Sequence, residues 1–506
     1  MNPTKNTDSR TVLKWSIALT IFYILSNVFF MDIGLHDETT FYLSRKDDLS
    51  LSVFLTRAEY GPLYAAWYKI LSLLAHDRLA LYFASWALLV ALSIQLMRIA
   101  TQSVGTVVPL LLMLGPRILK VWPYVGLFAG ALILLGFIVA KSRKTADSAL
   151  IVTAVSGLIV GLARPEFLYA PAMLVLGYVM YALFRRQVNA KTLIICLLVA
   201  GTGLSIARNS DTGRGGVALE QHFNLRASER GEISQEMPWT SPHAREFFFQ
   251  NPDRSIKYTL SDYVKADPAA VAMHVVRNAF DFRTLLLALA CGAISFFLCR
   301  AGLPFGGLYV AVLSLPPLIS CVLIYPRDHY IVAILLTLIA GGTIALAHIL
   351  TAHEQLKQRL RKPVIAGLVL LVLAIPLVRK TLKLPFEAMS TQGFAAVHPV
   401  LSTTLEFREM EAAGSFKKPL VMFEPYGGFH HYLNESWHWI PEFHVRSKQD
   451  LLTMIKEQRT SVFMINAYVL NYYKLSYEDL AQAFRESGYE YRPCTYLGCA
   501  LWLARK

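Results

Sequence analysis

Charged residues are scarce in this chain of 506 residues: they make up 17% of it, while hydrophobic residues make up 55%. A soluble protein carries about 25% charged residues. Apolar runs of about 16 to 24 residues recur along most of the chain, close to the roughly 20 residues that a membrane-spanning helix needs. One such run can be a buried core helix, but about eleven of them predict an integral membrane protein.

The chain also has little cysteine and no fingerprint for a soluble nucleotide. Six cysteines are present, and four of them lie in or beside apolar runs, where they act as small apolar side chains. Cys494 and Cys499 lie in a polar tail and can close a tight hairpin through a disulfide if that tail faces an oxidising compartment; two thiols are the alternative. No P-loop or glycine-rich phosphate loop is present, so a nucleotide bound by either motif is excluded.

The position of the basic residues explains the net charge of +14 without a nucleic-acid partner, and we expect none. The predicted spans are 13–33, 79–97, 104–116, 121–140, 148–163, 167–184, 192–208, 284–299, 303–324, 330–350 and 364–380. Lysines and arginines concentrate at the N-terminus and in every second turn, and such turns face the cytoplasm in most membrane proteins. The sequence therefore predicts a multi-pass protein of the cell inner or plasma membrane, with its N-terminus in the cytoplasm and its C-terminus outside.

The unusual polar segments gather on the opposite, extracytoplasmic face. They are the first external loop, 34–78, in which two amphipathic stretches predict interfacial helices, the long loop 209–283, and the tail 381–506. The tail alternates strands, expected in "KPLVMFEP", "SVFMINAY" and "CALWLAR", with helices, so it predicts a small extracytoplasmic α/β domain. The fold class is thus a polytopic α-helical membrane protein, with a transmembrane domain over 1–380 and the α/β domain after it.

The first external loop opens with "HDETTFY", in which His36, Asp37 and Glu38 are adjacent. Adjacent acids at the start of a helix commonly cap it, which is the simplest interpretation. A divalent cation held by the carboxylates is a second interpretation, because such ions prefer oxygen ligands. Three adjacent residues do not easily converge on one ion, so His36 is disfavoured as a ligand and metal dependence stays open.

Five basic side chains are predicted at the outer ends of spans: Arg117, Lys120, Arg164, Arg327 and His329. Snorkelling toward lipid head groups is one explanation, but positive charge at outer ends runs against the usual bias. Arginine also binds phosphate through two parallel hydrogen bonds. Cations that face a carboxylate across one cavity can hold a phosphate leaving group while the carboxylate accepts a proton, so we expect at least two of them to contact a phosphate.

Four short segments carry a family resemblance: "HDETTFY", "YGPLYAAWYKIL", "GLARPEFL" and "YPRDHYIV". Together they resemble the GT-C superfamily of integral-membrane glycosyltransferases. The first two resemble the acidic signature, and the segment after it, of the protein O-mannosyltransferase and aminoarabinose-transferase branch. The last two resemble elements at the outer span ends of many members. The architecture matches over nearly the whole chain; one departure is Gly61, because a second proline is common there before Pro62.

The resemblance implies a polyprenyl-phosphate-linked sugar donor, drawn from the membrane lipids, and transfer with inversion to a hydroxyl of a glycan, a lipid or a protein. Asp37 would be the general base, and the cations would stabilise the lipid-phosphate leaving group. Glu38 would support Asp37, bind a cation or cap the helix. Tyr60 and Tyr64 would line the sugar site, or anchor the loop in the interface.

A polytopic transporter or flippase of a lipid-linked or anionic substrate is the alternative. Transporters place charged or broken segments near the bilayer midplane and often contain paired repeats. In this chain the charges are predicted at span ends, no internal repeat is visible, and a folded tail is expected outside. These features favour an enzyme of cell-envelope glycosylation.

Overall fold

The computed structural model describes most of the chain. The described residues are 5–28, 31–34, 37–57, 61–104, 107–114, 117–120, 124–185, 189–209, 214–233, 241–251, 256, 258–352, 398–425, 428–433, 436–441, 445, 447–494 and 499–505. The predicted span 364–380 lies outside them.

Helices in the first 352 residues lie both at the predicted apolar runs and within the predicted external loops 34–78 and 209–283. They are α1 (Lys5–Val28), α2 (Leu51–Thr56), α3 (Pro62–Leu71), α4 (Arg78–Thr101), α5 (Val107–Leu114), α6 (Val125–Lys141), α7 (Ala146–Gly161), α8 (Ala170–Arg185), α9 (Ala190–Asn209), α10 (Arg214–Glu229), α11 (His243–Phe249), α12 (Leu260–Ala266), α13 (Pro268–Ala279), α14 (Phe282–Arg300), α15 (Pro304–Leu323) and α16 (Asp328–Ala352). Among the described helices, six are long and apolar enough to cross a membrane: α1, α4, α9, α14, α15 and α16. The prediction of a helical, membrane-embedded protein is confirmed.

Helix α6 lies at the centre of the bundle and is buried on nearly every side. Its sequence is apolar all round, which suits a helix enclosed by others, and α4, α7, α15 and α16 pack around it. Helices α4 and α6 run in the same direction. Near their starts the hydroxyls of Tyr82 and Tyr124 lie 3.3 Å apart, and at their ends Lys141 donates a hydrogen bond to the Ala100 carbonyl.

The chain must therefore return along the bundle between the end of α4 and the start of α6. The described part of this return contains α5, of eight residues, and a 3-10 turn, Arg117–Lys120. A span was predicted over 104–116, but a helix of this length is only about 12 Å long and cannot by itself cross a bilayer core of about 30 Å. The sequence has Gly115 and Pro116 directly after α5, a pair that ends helices.

The bundle has two chemically different ends. At the site end, α4 and α6 begin, α7 and α15 end, and loop 34–78 packs on them, with the Leu63 N–H donating to the Leu162 carbonyl at 3.0 Å. At the basic end, Lys141 closes α6 and Arg300 closes α14. In the described residues, segments predicted for opposite membrane faces thus lie at opposite ends. Which end faces the cytoplasm stays a prediction.

Helices α10 to α13 form a small module at the site end. Arg245 and Glu220 make a buried ion pair at 2.8 Å, and the Tyr263 hydroxyl donates to the other Glu220 oxygen at 3.1 Å. His274 Nε2 lies 2.8 Å from the carbonyl oxygen of Ile324, just after α15. The module is therefore fixed both internally and to the bundle.

Residues 398–505, here called the C-terminal unit, contain a five-stranded mixed sheet with helices. The elements are α17 (Pro399–Ala412), β1 (Val421–Glu424), β2 (His438–Pro441), α18 (Lys448–Glu457), β3 (Val462–Ile465), α19 (Ala467–Tyr473), α20 (Tyr477–Glu486), β4 (Tyr489–Cys494) and β5 (Cys499–Ala504). The strand order is β2-β1-β3-β5-β4. Strand β1 is parallel to β2 and β3, whereas β5 is antiparallel to β3 and β4.

The small sheet that the tail predicts is present, with two strands more than the apolar runs indicated. The three predicted strands correspond to β1, β3 and β5, which occupy the inside of the sheet. The two edge strands, β2 and β4, were missed, and they contain Pro441 and Pro493. Edge strands tolerate proline and charge, so their apolar signal is weak.

Candidate functional site

Among the described side chains of loop 34–78, Glu38 is an acid that three other residues hold through hydrogen bonds. It lies in a π-helical segment, Asp37–Leu43, and none of it is exposed. Its Oε1 accepts hydrogen bonds from the hydroxyls of Tyr64 at 2.6 Å and Tyr68 at 2.5 Å, and its Oε2 accepts one from the Tyr124 N–H at 3.1 Å. The carboxylate thus joins the loop to α3 and to the start of α6.

The two phenols that contact Glu38 are held in the form that donates. Burial, followed by the charge of Glu38, raises the pKa of Tyr64 and of Tyr68 well above the usual value. A phenol that stays protonated keeps its O–H for the carboxylate. The hydroxyl of Tyr64, predicted for the sugar site or for interfacial anchoring, is therefore engaged with Glu38. Tyr68 and Tyr124 were not singled out from sequence. The aromatic residues of α3 were an available signal for Tyr68, whereas Tyr124 contacts Glu38 through its backbone N–H.

Several predicted site residues are described only in part. The backbone of Asp37 begins the π-helical segment and directly precedes the fixed Glu38. Arg117 begins the 3-10 turn after α5, and His329 is the second residue of α16. The side chains of these three residues lie outside the described part of the chain, as do the whole of His36 and Tyr60.

Gly61 explains how loop 34–78 reaches the end of α7. Its φ is +60°, and a Cβ there would lie 2.5 Å from the Ala163 carbonyl oxygen and 3.0 Å from a ring carbon of Tyr42. Proline fixes φ near −65°, so it cannot occupy this position. Glycine rather than a second proline before Pro62 therefore has a physical reason: the chain needs glycine here to start α3 beside Arg164.

Arg164 is buried at the site end, with 6% of its surface exposed. Its guanidinium donates to Glu166 Oε1 at 2.8 Å and 2.5 Å and lies 5.3 Å from the centre of the Tyr330 ring. The pKa of Arg164 is raised overall. Burial lowers it, but the charge and hydrogen bonds of Glu166, and to a smaller extent Tyr330 and Tyr42, raise it by more. This cation is permanently charged and held in one place.

Two groups of contacting side chains lie at the site end: one contains Glu38, Tyr64 and Tyr42, and the other contains Arg164 and Tyr330 at the start of α16. The ring of Tyr42 lies 4.9 Å from that of Tyr64, which contacts Glu38. Beyond Arg164, the Tyr330 N–H donates to the Arg327 carbonyl at 3.0 Å. The structure thus brings together the first-loop acid, Arg164 and the backbone of Arg327, which are remote in sequence.

Lys120 lies on the broken return between α4 and α6. Its neighbours Ile118 and Leu119 are buried, and the Trp86 indole N–H donates to the Leu119 carbonyl at 2.9 Å. Trp86 is one helical turn from Tyr82, whose hydroxyl oxygen accepts a hydrogen bond from the Gly34 N–H at 2.8 Å. The turn therefore packs near the loop, and the Lys120 side chain is half-buried.

A second polar cluster, which was not predicted from sequence, surrounds Tyr325. The guanidinium carbons of Arg226 and Arg283 lie 4.4 Å and 5.6 Å from its ring centre, and its hydroxyl donates to Glu229 at 2.6 Å. Burial is the main cause that lowers the pKa of neighbouring His222 to about 3. The cations of this cluster are compensated by acids, since Arg226 pairs with Glu229 at 2.8 Å.

An apolar groove opens between α8 and α9. Its volume is about 370 Å³, within the range of about 300–1,000 Å³ typical of ligand pockets. The lining residues are Ala172, Val175, Leu176, Val179, Leu197, Ala200, Gly201 and Leu204. The 3-10 turn Pro165–Tyr169, which follows Arg164, leads directly into α8. One end of the groove thus lies near the turn that follows Arg164, and the groove extends from there along α8 and α9.

Within the described ranges, no group of three or more His, Cys, Asp or Glu side chains could hold a metal ion. His36 and the Asp37 side chain are outside that set. The divalent cation at the acidic pair therefore stays a prediction. Glu38 itself already accepts three hydrogen bonds.

Comparison with known proteins adds no identification to this geometry. No family model matches the chain, and neither a curated protein nor a solved structure matches it.

Proposed function

We propose that this chain is an inverting glycosyltransferase of the GT-C type. It moves a sugar from a polyprenyl-phosphate donor to a hydroxyl of a glycan, a lipid or a protein at the extracytoplasmic face of the membrane. In this proposal the bundle crosses the membrane eleven times, the N-terminus is cytoplasmic, and the C-terminal unit lies outside.

One observation carries the proposal: an acidic loop and a buried arginine meet at the same end of a membrane bundle. From the acidic loop, Glu38 contacts Tyr64 at 2.6 Å and the Tyr64 ring lies 4.9 Å from that of Tyr42. Gly61 packs between the Tyr42 ring and the carbonyl of Ala163, the residue directly before Arg164. Carboxylate and guanidinium are the pair that the transfer needs, one to take a proton and one to stabilise a phosphate.

The reaction assigns the two charges opposite tasks. The acceptor hydroxyl loses its proton to the carboxylate of Asp37 while its oxygen bonds to the anomeric carbon of the sugar. The bond between that carbon and the phosphate oxygen breaks, and the electron pair leaves with the lipid phosphate. Cations at the site end stabilise the charge that grows on this phosphate. Glu38 does not touch the reacting atoms in this scheme; it holds Asp37 in position.

The apolar groove between α8 and α9 supports a donor that is delivered by the bilayer. Its lining is entirely apolar, so it suits a hydrocarbon chain rather than a sugar. Its position below the turn that follows Arg164 allows the chain to lie in the groove while its phosphate approaches the guanidinium. No soluble nucleotide is then required.

The broken return between α4 and α6 favours a second candidate, a transporter of a lipid-linked or anionic substrate. Transporters commonly build their sites from discontinuous helices, and the return passes close to the buried carboxylate of Glu38. This candidate predicts movement of an intact substrate, whereas the first predicts cleavage of the bond between sugar and phosphate.

The decisive experiment compares Asp37→Asn with a matched control, Asp48→Asn, which changes an exposed acid of the same loop. Membranes with each variant receive a panel of radiolabelled polyprenyl-phosphate hexoses and pentoses, and transfer of label to acceptors is measured. We expect Asp37→Asn to lose at least about 100-fold in turnover, because a general base contributes about 10²–10⁴.

Full turnover by Asp37→Asn at normal expression would reject Asp37 as the base. Uptake of label into vesicles with the sugar still bound to phosphate would favour the transporter. A tag at Lys506 that a non-permeant reagent reaches only from the cytoplasm would overturn the proposed orientation.

A further inference from the structure

The segment 31–34 precedes the acidic pair, and the C-terminal unit holds it at two points. The first point is Asp32, which accepts hydrogen bonds from the N–H groups of Val400 and Leu401 at 2.9 Å each. Both amides belong to the first turn of α17, whose own N-cap residue, His398, provides no side-chain cap. Because the first N–H groups of a helix lack partners within it, Asp32 supplies from a remote part of the chain the cap that α17 needs.

The second point is Tyr432, which is fully buried. Its hydroxyl donates to the Gly34 carbonyl at 2.5 Å, and its ring lies edge-on to that of Tyr82 at 5.9 Å. Arg408 fixes its backbone by donating to the Tyr432 carbonyl at 2.6 and 2.9 Å. The same guanidinium lies 2.8 Å from Asp77, directly before α4.

Glu424 fixes the turn from which Tyr432 projects. This buried residue ends β1, and its Oε1 accepts from the N–H groups of Gly428 at 2.8 Å and Phe429 at 3.0 Å. It also lies 2.9 Å from His430 Nδ1. The 3-10 turn Phe429–Tyr432 is therefore fixed to the end of β1. Through Tyr432 it connects the sheet to the backbone of Gly34.

We infer that the C-terminal unit is a positioning element for the acidic pair, with Asp32 and Tyr432 as positioning residues. Gly34 is held by the C-terminal unit, and Glu38 is held by α3 and α6. Asp37 lies between these two fixed points, three residues after one and one residue before the other. Its backbone therefore depends on both parts of the chain. The effect on turnover rests on the proposed function; the effect on loop order does not.

The test uses the full chain in detergent or membranes and two readouts. Tyr432→Phe removes only the hydroxyl that contacts Gly34. Tyr473→Phe is the matched control, since Tyr473 is also buried in the C-terminal unit and donates to a backbone carbonyl, that of Val445, at 2.8 Å. Hydrogen exchange of peptides within 31–43 reports loop order, and sugar transfer reports turnover.

We expect Tyr432→Phe to speed exchange in 31–43 about 3- to 10-fold, the worth of one hydrogen bond. It should lower kcat on the order of 10-fold, because small misplacements of reacting groups are costly, while donor KM stays within about twofold. Tyr473→Phe should change neither readout.

A graded pair at the other point sharpens the test. Asp32→Ala removes every acceptor, whereas Asp32→Asn keeps one oxygen that can still cap α17, so Asn should restore part of the exchange protection and of kcat. If Tyr432→Phe and Asp32→Ala both leave exchange in 31–43 at the wild-type rate, the positioning role is wrong. If exchange responds as expected but even the wild-type chain transfers no sugar, the positioning role stands and the proposed function fails.

Discussion

Two fully buried glutamates, one in each part of the molecule, are held in opposite ways. Glu38 receives its donors from residues 26, 30 and 86 positions away in sequence. Glu424 receives its donors from residues 4, 5 and 6 positions away. Glu38 uses both oxygens, while Oε2 of Glu424 has no hydrogen-bond partner among the described residues.

The difference shows how a buried carboxylate acts on its surroundings. Glu38 joins three elements of the membrane bundle, so its loss affects their mutual packing. Glu424 organises a single turn of the C-terminal unit, so its loss affects that turn first. An unmade hydrogen bond in a buried site costs about 1–3 kcal/mol, but the number of donors left without a partner differs between the two sites.

The glutamine variants separate the two sites most strongly. Glutamine has one acceptor oxygen, so Glu38→Gln leaves donors on one side facing an NH₂ group, and we expect a loss of about 2–4 kcal/mol in stability. Glu424→Gln keeps the single oxygen that is used, and we expect a loss below about 1 kcal/mol. Thermal unfolding of both variants in detergent measures the difference. Equal losses would contradict the contrast between them.

Glycine substitutions extend the comparison to the backbone. Gly61 and Gly488 both have positive φ, +60° and +76°. A Cβ at Gly61 meets a backbone oxygen, whereas a Cβ at Gly488 meets only Gln458 Nε2 at 3.1 Å, the end of a flexible side chain. We expect Gly61→Ala to cost about 3 kcal/mol and Gly488→Ala about 1 kcal/mol, measured by thermal unfolding. A Gly488→Ala loss as large as that of Gly61→Ala would argue against close contact at Ala163.

A disulfide can form in the C-terminal unit, whereas the four described cysteines of the bundle form none. The register of β4 and β5 pairs Cys494 directly with Cys499, and paired residues of neighbouring strands are close enough for a disulfide. We expect a linked peptide in non-reducing mass spectrometry of protein folded outside the cytoplasm. Reduction should cost about 2 kcal/mol in the C-terminal unit, since the closed loop is short. Two separately alkylated cysteines in that sample would contradict the prediction.

Acid should affect the two regions through two histidines, His274, which is buried, and His431, which is half-buried. Burial is the main cause that lowers the pKa of His274 to about 4 and of His431 to about 2. Both stay neutral in the folded chain, so their contribution to stability is complete above about pH 6.5 and is lost as the pH falls below it. We expect His431→Gln to reduce the loss between pH 6.5 and 5.5 by about 1 kcal/mol, measured by unfolding at both pH values. An unchanged pH dependence would show that His431 is protonated without cost.

The sequence predicted the positions of the apolar helices and the inner strands because each has its own periodicity. The ends of α4, α14 and α15 lie within a few residues of the predicted bounds. It did not predict the broken return at α5, because the apolar run outweighed the Gly115-Pro116 pair, a turn signal that is readable in the sequence.

The sequence singled out the acidic loop and Arg164, but it did not reveal the contacts that hold them. Two adjacent acids marked the loop, yet only the folded chain shows that Glu38 is buried and that Tyr64 and Tyr68 of α3 and the Tyr124 N–H converge on it. The contact of Tyr432 with Gly34 spans 398 positions. No local pattern encodes a pair so far apart.

The cap that Asp32 gives to α17 has a consequence for synthesis of the protein. The two partners are separated by 368 positions, and a ribosome adds about 5–20 residues per second, so roughly 20–70 s pass between them. During that interval the nascent chain carries the acidic loop without its remote anchor. The segment before Asp37 therefore reaches its final conformation only late in translation.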